Sequence, residues 1–183
     1  MEYTFISEVK TWSPFGWRAD RSWDELFDLA DAHGDMISVH TDSRWGGSFE
    51  LLERARARTG KPILAKGIHR DDRLIDRALD AGADRVLVVG RVPERHRERC
   101  IIEVESVAQF DILPPDSRAL WNDRDLTTGG RKAETFRQAR AAWRGWLCQA
   151  SNIRSVDDVD PEADAVLVGI HLVPFIRSRD RLR

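Results

Sequence analysis

The chain has 183 residues, enough for one domain with its own core, and its net charge of −2 with 42% hydrophobic residues fits a soluble globular protein. Nothing in that balance points to nucleic acid, and no apolar run approaches the ~20 residues that a membrane helix needs. Met1 leads almost directly into a strand-like run without a signal-peptide pattern, and the two cysteines, Cys100 and Cys148, sit in apolar runs without metal-ligand spacing; a cytoplasmic chain with two small buried thiols and no metal is expected.

Strand-like and helix-like segments alternate. A strand over 4–10 precedes a helix over 22–33, where Trp23, Leu26, Phe27 and Ala30 recur at helical spacing. A strand over 35–41 leads to a helix over 48–59 carrying Leu51, Leu52 and Ala55 on one face. The strand over 62–68 is followed by a helix over 71–81 with Leu74, Ile75, Ala78 and Leu79. Ala81-Gly82-Ala83-Asp84 then closes that helix and hands over to the wholly apolar Val86 to Val89 in a strand over 84–90. Further strands are predicted over 100–106, 118–123, 145–151 and 164–170, with helices over 133–143 and 174–181. Regular alternation implies right-handed βαβ units. Eight strands predict an α/β fold, a compact (β/α)8 TIM barrel forming a single domain over 1–183; an open doubly wound sheet is the alternative. Barrels of this kind typically need about 250 residues. The stretches 91–99, 107–117 and 152–163 can therefore hold single turns or loops rather than helices, so the wall is either thin there or covered by a second copy of the chain.

Four of the strands carry polar residues toward their C-terminal ends: Phe5–Lys10, Ile63–Lys66, Ile101–Glu105 and Leu120–Arg124. Side chains alternate faces along a strand, so Glu8 and Lys10 share a face, as do Glu103 and Glu105, and Asn122 and Arg124. Buried charge is costly unless paired or used, and charge gathered at the C-terminal ends of parallel strands is where barrel enzymes keep their chemistry. Lysine usage sharpens this. Of 29 basic residues only Lys10, Lys61, Lys66 and Lys132 are lysines, and two of them sit late in apolar strands. A lysine can give up its proton and an arginine effectively cannot, so Lys10 and Lys66 are candidates for proton transfer, or for holding an anion.

In chain order these pieces resemble the indole-3-glycerol phosphate synthase family. Ile6-Ser-Glu-Val-Lys-Thr-Trp-Ser-Pro14 resembles its first strand and loop; Ile37 to Asp42 with Gly47 to Glu50 resembles the second; Pro62 to Lys66 the third; Ala81 to Val89 the fourth; Ile102 to Val104 the fifth; Asn122 to Leu126 the sixth; and Ala163 to Gly169 the eighth. The resemblance implies a barrel of the ribulose-phosphate-binding type. It also implies a carbon–carbon lyase of tryptophan biosynthesis, closing the indole ring of a carboxyphenylamino deoxyribulose phosphate with loss of carbon dioxide and water, without a cofactor. It assigns Lys66 as general acid, Glu103 as base and Lys10 as the partner of the substrate carboxylate. Glu8 places Lys10, and Asn122 and Ser13 position the substrate. Arg124 stabilises charge, and Ser151 and Gly169 lie at the phosphate. The expected partner is thus a small phosphorylated molecule, with neither nucleic acid nor membrane involved.

The sequence departs from the family pattern in four places. The family's N-terminal helical extension has no counterpart ahead of the first strand. Phe15-Gly16-Trp17 stands where a loop lysine is usual. Ala150 and Asn152 replace a glutamate and a glycine at the seventh strand, and Gly169-Ile170 loses a polar group at the eighth. Asn152 still tolerates a left-handed turn. These losses keep two other readings open: a diverged barrel enzyme acting on another phosphorylated or aryl-amine substrate, and a non-catalytic barrel that binds a phosphorylated metabolite. In the latter, Lys66 would pair with Glu103, or Trp12 and Trp17 would fill the mouth. Those tryptophans could equally stack on an aromatic substrate. Glu105 is expected at the solvent end of its strand and Trp121 in the core. His40, His69 and His171 sit at the rim, more simply as structural groups than as ligands. His33, His96 and the tail from Arg177 to Arg183 are expected to face solvent.

Overall fold

The structure, a computed structural model, describes residues 3–181. Within them eight parallel strands close into a barrel in sequence order: β1 (Thr4–Val9), β2 (Met36–His40), β3 (Ile63–Lys66), β4 (Arg85–Val89), β5 (Cys100–Val104), β6 (Arg118–Asn122), β7 (Leu147–Ala150) and β8 (Ala165–Val168), with β8 pairing back onto β1. Closure rules out the open sheet. Five α-helices pack outside: α1 (Trp23–His33), α2 (Phe49–Arg56), α3 (Asp72–Asp80), α4 (Phe136–Ala142) and α5 (Leu172–Asp180).

Helix starts follow local chemistry. Ser22 with Glu25, and Thr135 with Gln138, form reciprocal capping boxes on α1 and α4, while Ser48 and Asp71 accept first-turn N–H groups of α2 and α3. Gly82, at φ +102°, ends the α3 segment in a conformation that a side chain would strain.

The three short connections fold as 3₁₀ turns, at Arg97–Arg99, Val107–Ile112 and Val156–Asp158. They seal the wall themselves. Phe110 stacks on Trp143 at 5.6 Å between centroids, and Leu113 and Val159 are buried. Among the described residues Ile112 is the one exposed large hydrophobic side chain. The outer surface of this wall is therefore not broadly apolar among the described residues.

Alternation sorts the core into two layers. Ile6, Leu64, Leu87, Ile101, Leu120, Cys148, Ala165 and Leu167 fill the barrel interior, while Phe5, Ile37, Ile63, Val86, Ile102, Trp121 and Val166 face the helices. Cys100 and Cys148 are free and buried.

One feature of the N-terminal rim repeats. Asp35, Asp84 and Asp164 stand just before β2, β4 and β8, and each carboxylate accepts the backbone N–H of Phe5, Ile63 or Leu147 on the preceding strand. An arginine from a helix faces each carboxylate: Arg179, Arg56 and Arg140. Arg179 also lies over the Tyr3 and Phe5 rings, so this part of the expected solvated tail is packed, and the tail's last two residues lie outside the described ones. No helix of the described residues is long and apolar enough to cross a membrane.

Candidate active site

The inward face of each strand changes character along its length. Over the apolar interior sits a polar layer at the C-terminal ends: Glu8 and Lys10 from β1 and its end, His40 from β2, Lys66 from β3, Glu103 from β5 and Asn122 from β6. These residues line one cavity with about 710 Å³ of empty space counting its open mouth. Arg124, Ser151, Asn152, Gly169 and His171 complete its rim. Trp45, Leu87, Val89, Ile153 and Leu167 give it apolar walls.

Ion pairing inside the cavity is specific. Lys66 Nζ donates to Glu8 Oε1 at 2.8 Å. His40 Nε2 lies 2.7 Å from that same oxygen, off the line of a good hydrogen bond. Burial alone would raise the Glu8 carboxyl, but Lys66, Lys10 and His40 hold it well below the usual range, so it is an anion. Burial pushes His40 down to about 4 against the pull of Glu8, so the imidazole is neutral. Burial also lowers Lys10 to about 8, with Lys66 and Arg124 adding to the shift and Glu8 opposing it.

Glu103 is the opposite case. It is 2% exposed, and burial raises its carboxyl against the opposing pull of Lys66 and Asn122. Asn122 is held at both ends of its amide. Its Nδ2 donates to Glu103 Oε1 at 2.8 Å, while Oδ1 accepts from Ser151 Oγ at 2.6 Å and from the Arg124 backbone N–H at 3.0 Å. The amide orientation thus follows from its partners. One barrel thus holds two buried carboxyls whose proton affinities are pushed in opposite directions, Glu8 down and Glu103 up.

Most of the residues expected from sequence converge here: Glu8, Lys10, Lys66, Glu103, Asn122, Arg124, Ser151 and Gly169. Ser13 does not join them. It is buried in the loop after β1, where its N–H donates to Trp17 O at 2.8 Å and its Oγ accepts from the Phe15 N–H, so it shapes a turn. Gly169 has a tighter role than a rim position suggests: a Cβ there would lie 1.8 Å from Glu8 Oε2. Ser151 and Asn152 both have positive φ, 69° and 56°, so the turn that a glycine would have made is kept.

Glu105 is exposed beyond the cavity and Trp121 is fully buried, its Nε1 donating to Asp123 Oδ1 at 3.1 Å. His69 is structural: Nδ1 lies 2.5 Å from Leu87 O and Nε2 3.1 Å from Thr41 Oγ1. His33 and His96, expected at the surface, are partly exposed and face Asp180 and Asp76. Trp12 and Trp17 stand outside the cavity. Trp12 packs on Gly46, and Trp17 lines a separate surface groove beside α5. Lys61 and Lys132 are absorbed by backbone carbonyls, Gly34 O and Val104 O, leaving Lys10 and Lys66 as the lysines of the cavity. His40 and His171, read from the sequence more simply as structural groups at the rim, line the cavity, and Trp45 was not singled out by the sequence. The position of His40 on the Glu8 face of the barrel, at the last residue of β2, was the available signal. Among the described residues no cluster of His, Cys, Asp and Glu has metal-binding geometry.

Comparison with known proteins agrees with this geometry. A family model described as indole-3-glycerol phosphate synthase matches residues 1–114, more than half of the chain. An indole-3-glycerol phosphate synthase of Bacillus mycoides is 36% identical over 92 residues, covering 48% of this chain and 36% of that protein. One of Sulfurisphaera tokodaii is 34% identical over 89 residues, with the same coverage. The tryptophan biosynthesis protein TrpCF of Vibrio parahaemolyticus is 29% identical over 130 residues, 69% of this chain and 27% of that one. The chain spans less than half the length of these relatives. The family match ends after β5, so Asn122, Arg124, Ser151 and Gly169 lie beyond it. A match over the first 114 residues, carried by an eight-stranded closed barrel, shows that the chain belongs to the indole-3-glycerol phosphate synthase family.

Proposed function

We propose that this barrel is a carboxy-lyase that closes an indole ring, converting a carboxyphenylamino deoxyribulose phosphate to an indole glycerol phosphate as in tryptophan biosynthesis. The observation that carries the reading is the cavity itself: Lys66, Lys10 and a buried Glu103 share one partly apolar chamber in which Glu103 and Lys66 are not paired to each other.

In this reading the ring carbon bearing the carboxylate attacks the substrate carbonyl carbon, and Lys66 delivers a proton to the carbonyl oxygen as the new bond forms. The bond to the carboxylate then breaks, its electron pair returns to the ring, and carbon dioxide leaves. Lys10 holds the carboxylate beforehand. Apolar walls at Leu87, Val89 and Leu167 remove water from that anion, which favours its loss as a neutral gas. Glu103 then takes a proton from the carbon beside the nitrogen as the carbon–oxygen bond breaks and passes it to the departing hydroxyl, which leaves as water; its raised affinity for a proton suits it to that step. Glu8 holds the Lys66 side chain in place. The phosphate falls at the rim of Ser151, Asn152 and Gly169, near the cationic Arg124.

The features expected of a non-catalytic barrel, a Lys66–Glu103 pair or a mouth filled by Trp12 and Trp17, are not found among the described residues. The test is indole fluorescence during incubation with the carboxyphenylamino deoxyribulose phosphate, run beside Lys66→Ala. Turnover that this substitution lowers by about a thousandfold supports the reading. A folded wild-type protein without turnover overturns it.

A further inference from the structure

We propose that Arg154 and Arg124, with Arg131 beside them, form a phosphate-binding groove at the rim of the chamber, and that Arg154 is the residue by which this chain selects a phosphorylated substrate. The proposal deepens the reading above by naming what recognises the phosphate, and rests on that reading for its activity arm alone.

Two loops build the groove. Arg124 and Arg131 face each other across an isolated antiparallel bridge in the loop after β6. Residues directly opposed in such a pair present their side chains on one face. Hydrogen bonds hold the bridge on both sides: the Lys132 N–H donates to Asp123 O at 2.8 Å and the Asp125 N–H to Gly130 O at 2.9 Å. Arg154 enters from the loop after β7, where its N–H and that of Ser155 donate to Asp158 Oδ2 at 2.8 and 2.9 Å. Arg124, Arg131, Asn152, Arg154 and Asp158 line one open groove. Arg124 and Asn152 also line the chamber, so the groove continues outward from its rim.

Like charges gathered in one place repel unless an anion sits between them. Arg131 is offset by Asp123 at 2.9 Å, but among the described residues the guanidinium groups of Arg124 and Arg154 have neither a carboxylate nor another acceptor in hydrogen-bond reach. The nearby carboxylates are committed elsewhere: Asp158 to the backbone of its own turn, Asp125 to the N–H groups of Thr127 and Thr128. Burial, then Arg154 and Arg124, lower the His171 imidazole from its ordinary value, so the two charges converge on the side of the groove that meets the chamber. The rim itself offers little to an anion. Ile170 follows Gly169 without a polar side chain, and Ser151 Oγ is spent on Asn122 Oδ1 at 2.6 Å. A phosphate dianion has oxygens enough for two guanidinium forks, whereas a carboxylate matches one.

Calorimetric titration with inorganic phosphate at constant ionic strength reads the groove without substrate. Wild type should bind it, Arg154→Ala about tenfold more weakly, and Arg154→Lys in between. Arg73→Ala removes an exposed cation on α3 and should bind as wild type does, which controls for net charge. In the indole assay inorganic phosphate should compete with the substrate. Arg154→Ala should raise KM about tenfold with kcat little changed, and a substrate without its phosphate should not distinguish the two proteins. No phosphate binding to wild type, binding unchanged in Arg154→Ala, or binding weakened as much in Arg73→Ala overturns the proposal, and so does noncompetitive inhibition. If Arg154→Ala does not fold, Arg154→Gln decides the same comparison. Absence of turnover in the wild type would remove the lyase reading while leaving the calorimetry to decide on the groove.

Discussion

Gly169 and Glu8 meet with no space for a side chain between them: a Cβ built on Gly169 would stand 1.8 Å from Glu8 Oε2 and 2.7 Å from its Cδ. The backbone just after β8 thus sets where the Glu8 carboxylate lies, and through it where Lys66 lies. Gly169→Ala should displace Glu8 and lower kcat by about a hundredfold, with a loss of about 1–2 kcal/mol in stability. Steady-state kinetics and urea unfolding measure the two effects; full activity would show that Glu8 can move without consequence.

Lys10 gives a stability prediction with a definite sign. In the folded protein its proton leaves at about 8, against 10.5 for an unperturbed lysine. Between those values the unfolded chain holds the extra proton, so stability rises as pH climbs from about 8 to 10.5 and the buried ammonium destabilises the fold at neutral pH. Lys10→Met should stabilise the protein by about 1–2 kcal/mol at pH 7, less than the whole shift because Glu8 loses a cation. That gain should shrink toward pH 10 in urea titrations, while turnover is lost.

Asn122 is the donor that limits how far Glu103 is raised. Asn122→Leu removes the hydrogen bond, so Glu103 should hold its proton still more tightly. The acid limb of kcat/KM should move up by about one unit. A limb that stays in place would assign it to a different group.

His69 provides the contrasting histidine. Both of its ring nitrogens are bound, to Leu87 O and Thr41 Oγ1, and its backbone has φ +46°. His69→Ala should cost about 2–3 kcal/mol in thermal or urea unfolding and leave KM within about twofold. A large KM change with unchanged stability would place His69 in the site after all.

The thiols should be inert in the native state. Burial pushes Cys100 up to about 12 and raises Cys148 further, so neither offers a thiolate near neutral pH. Iodoacetamide should label neither by mass spectrometry until denaturant is added.

The layer of charge at the strand ends was legible because period-two alternation puts Glu8, Lys10, Lys66, Glu103 and Asn122 on inward faces whatever the tertiary detail. The eight strands and five helices follow from the same patterning. Partner choice was not legible. Lys66 bonds Glu8 rather than Glu103 although β3 lies two strands from both β1 and β5, a choice that no single strand encodes. Ser13 was misplaced because a turn of five residues rotates it toward Trp17, a geometry without a sequence period. Trp45 enters from a 3₁₀ turn and was invisible for the same reason. The staples at Asp35, Asp84 and Asp164 did leave a trace, an aspartate after a small residue just before a strand, but their meaning depends on the neighbouring strand's first N–H.

The apolar plug beneath the polar layer gives the barrel a floor. Ile6, Leu64, Leu87, Ile101, Leu120 and Leu167 close the axis below the cavity, so the chamber is a cup with a single opening at the C-terminal rim. Anything that enters must leave by the same door, and a bulky phosphorylated product seated at the rim would stand in the path of any small fragment released deeper inside. Under the proposed reaction, traffic through that one mouth would order departure, and the residues lining the rim would set the pace of each cycle as much as those at the bottom set its chemistry.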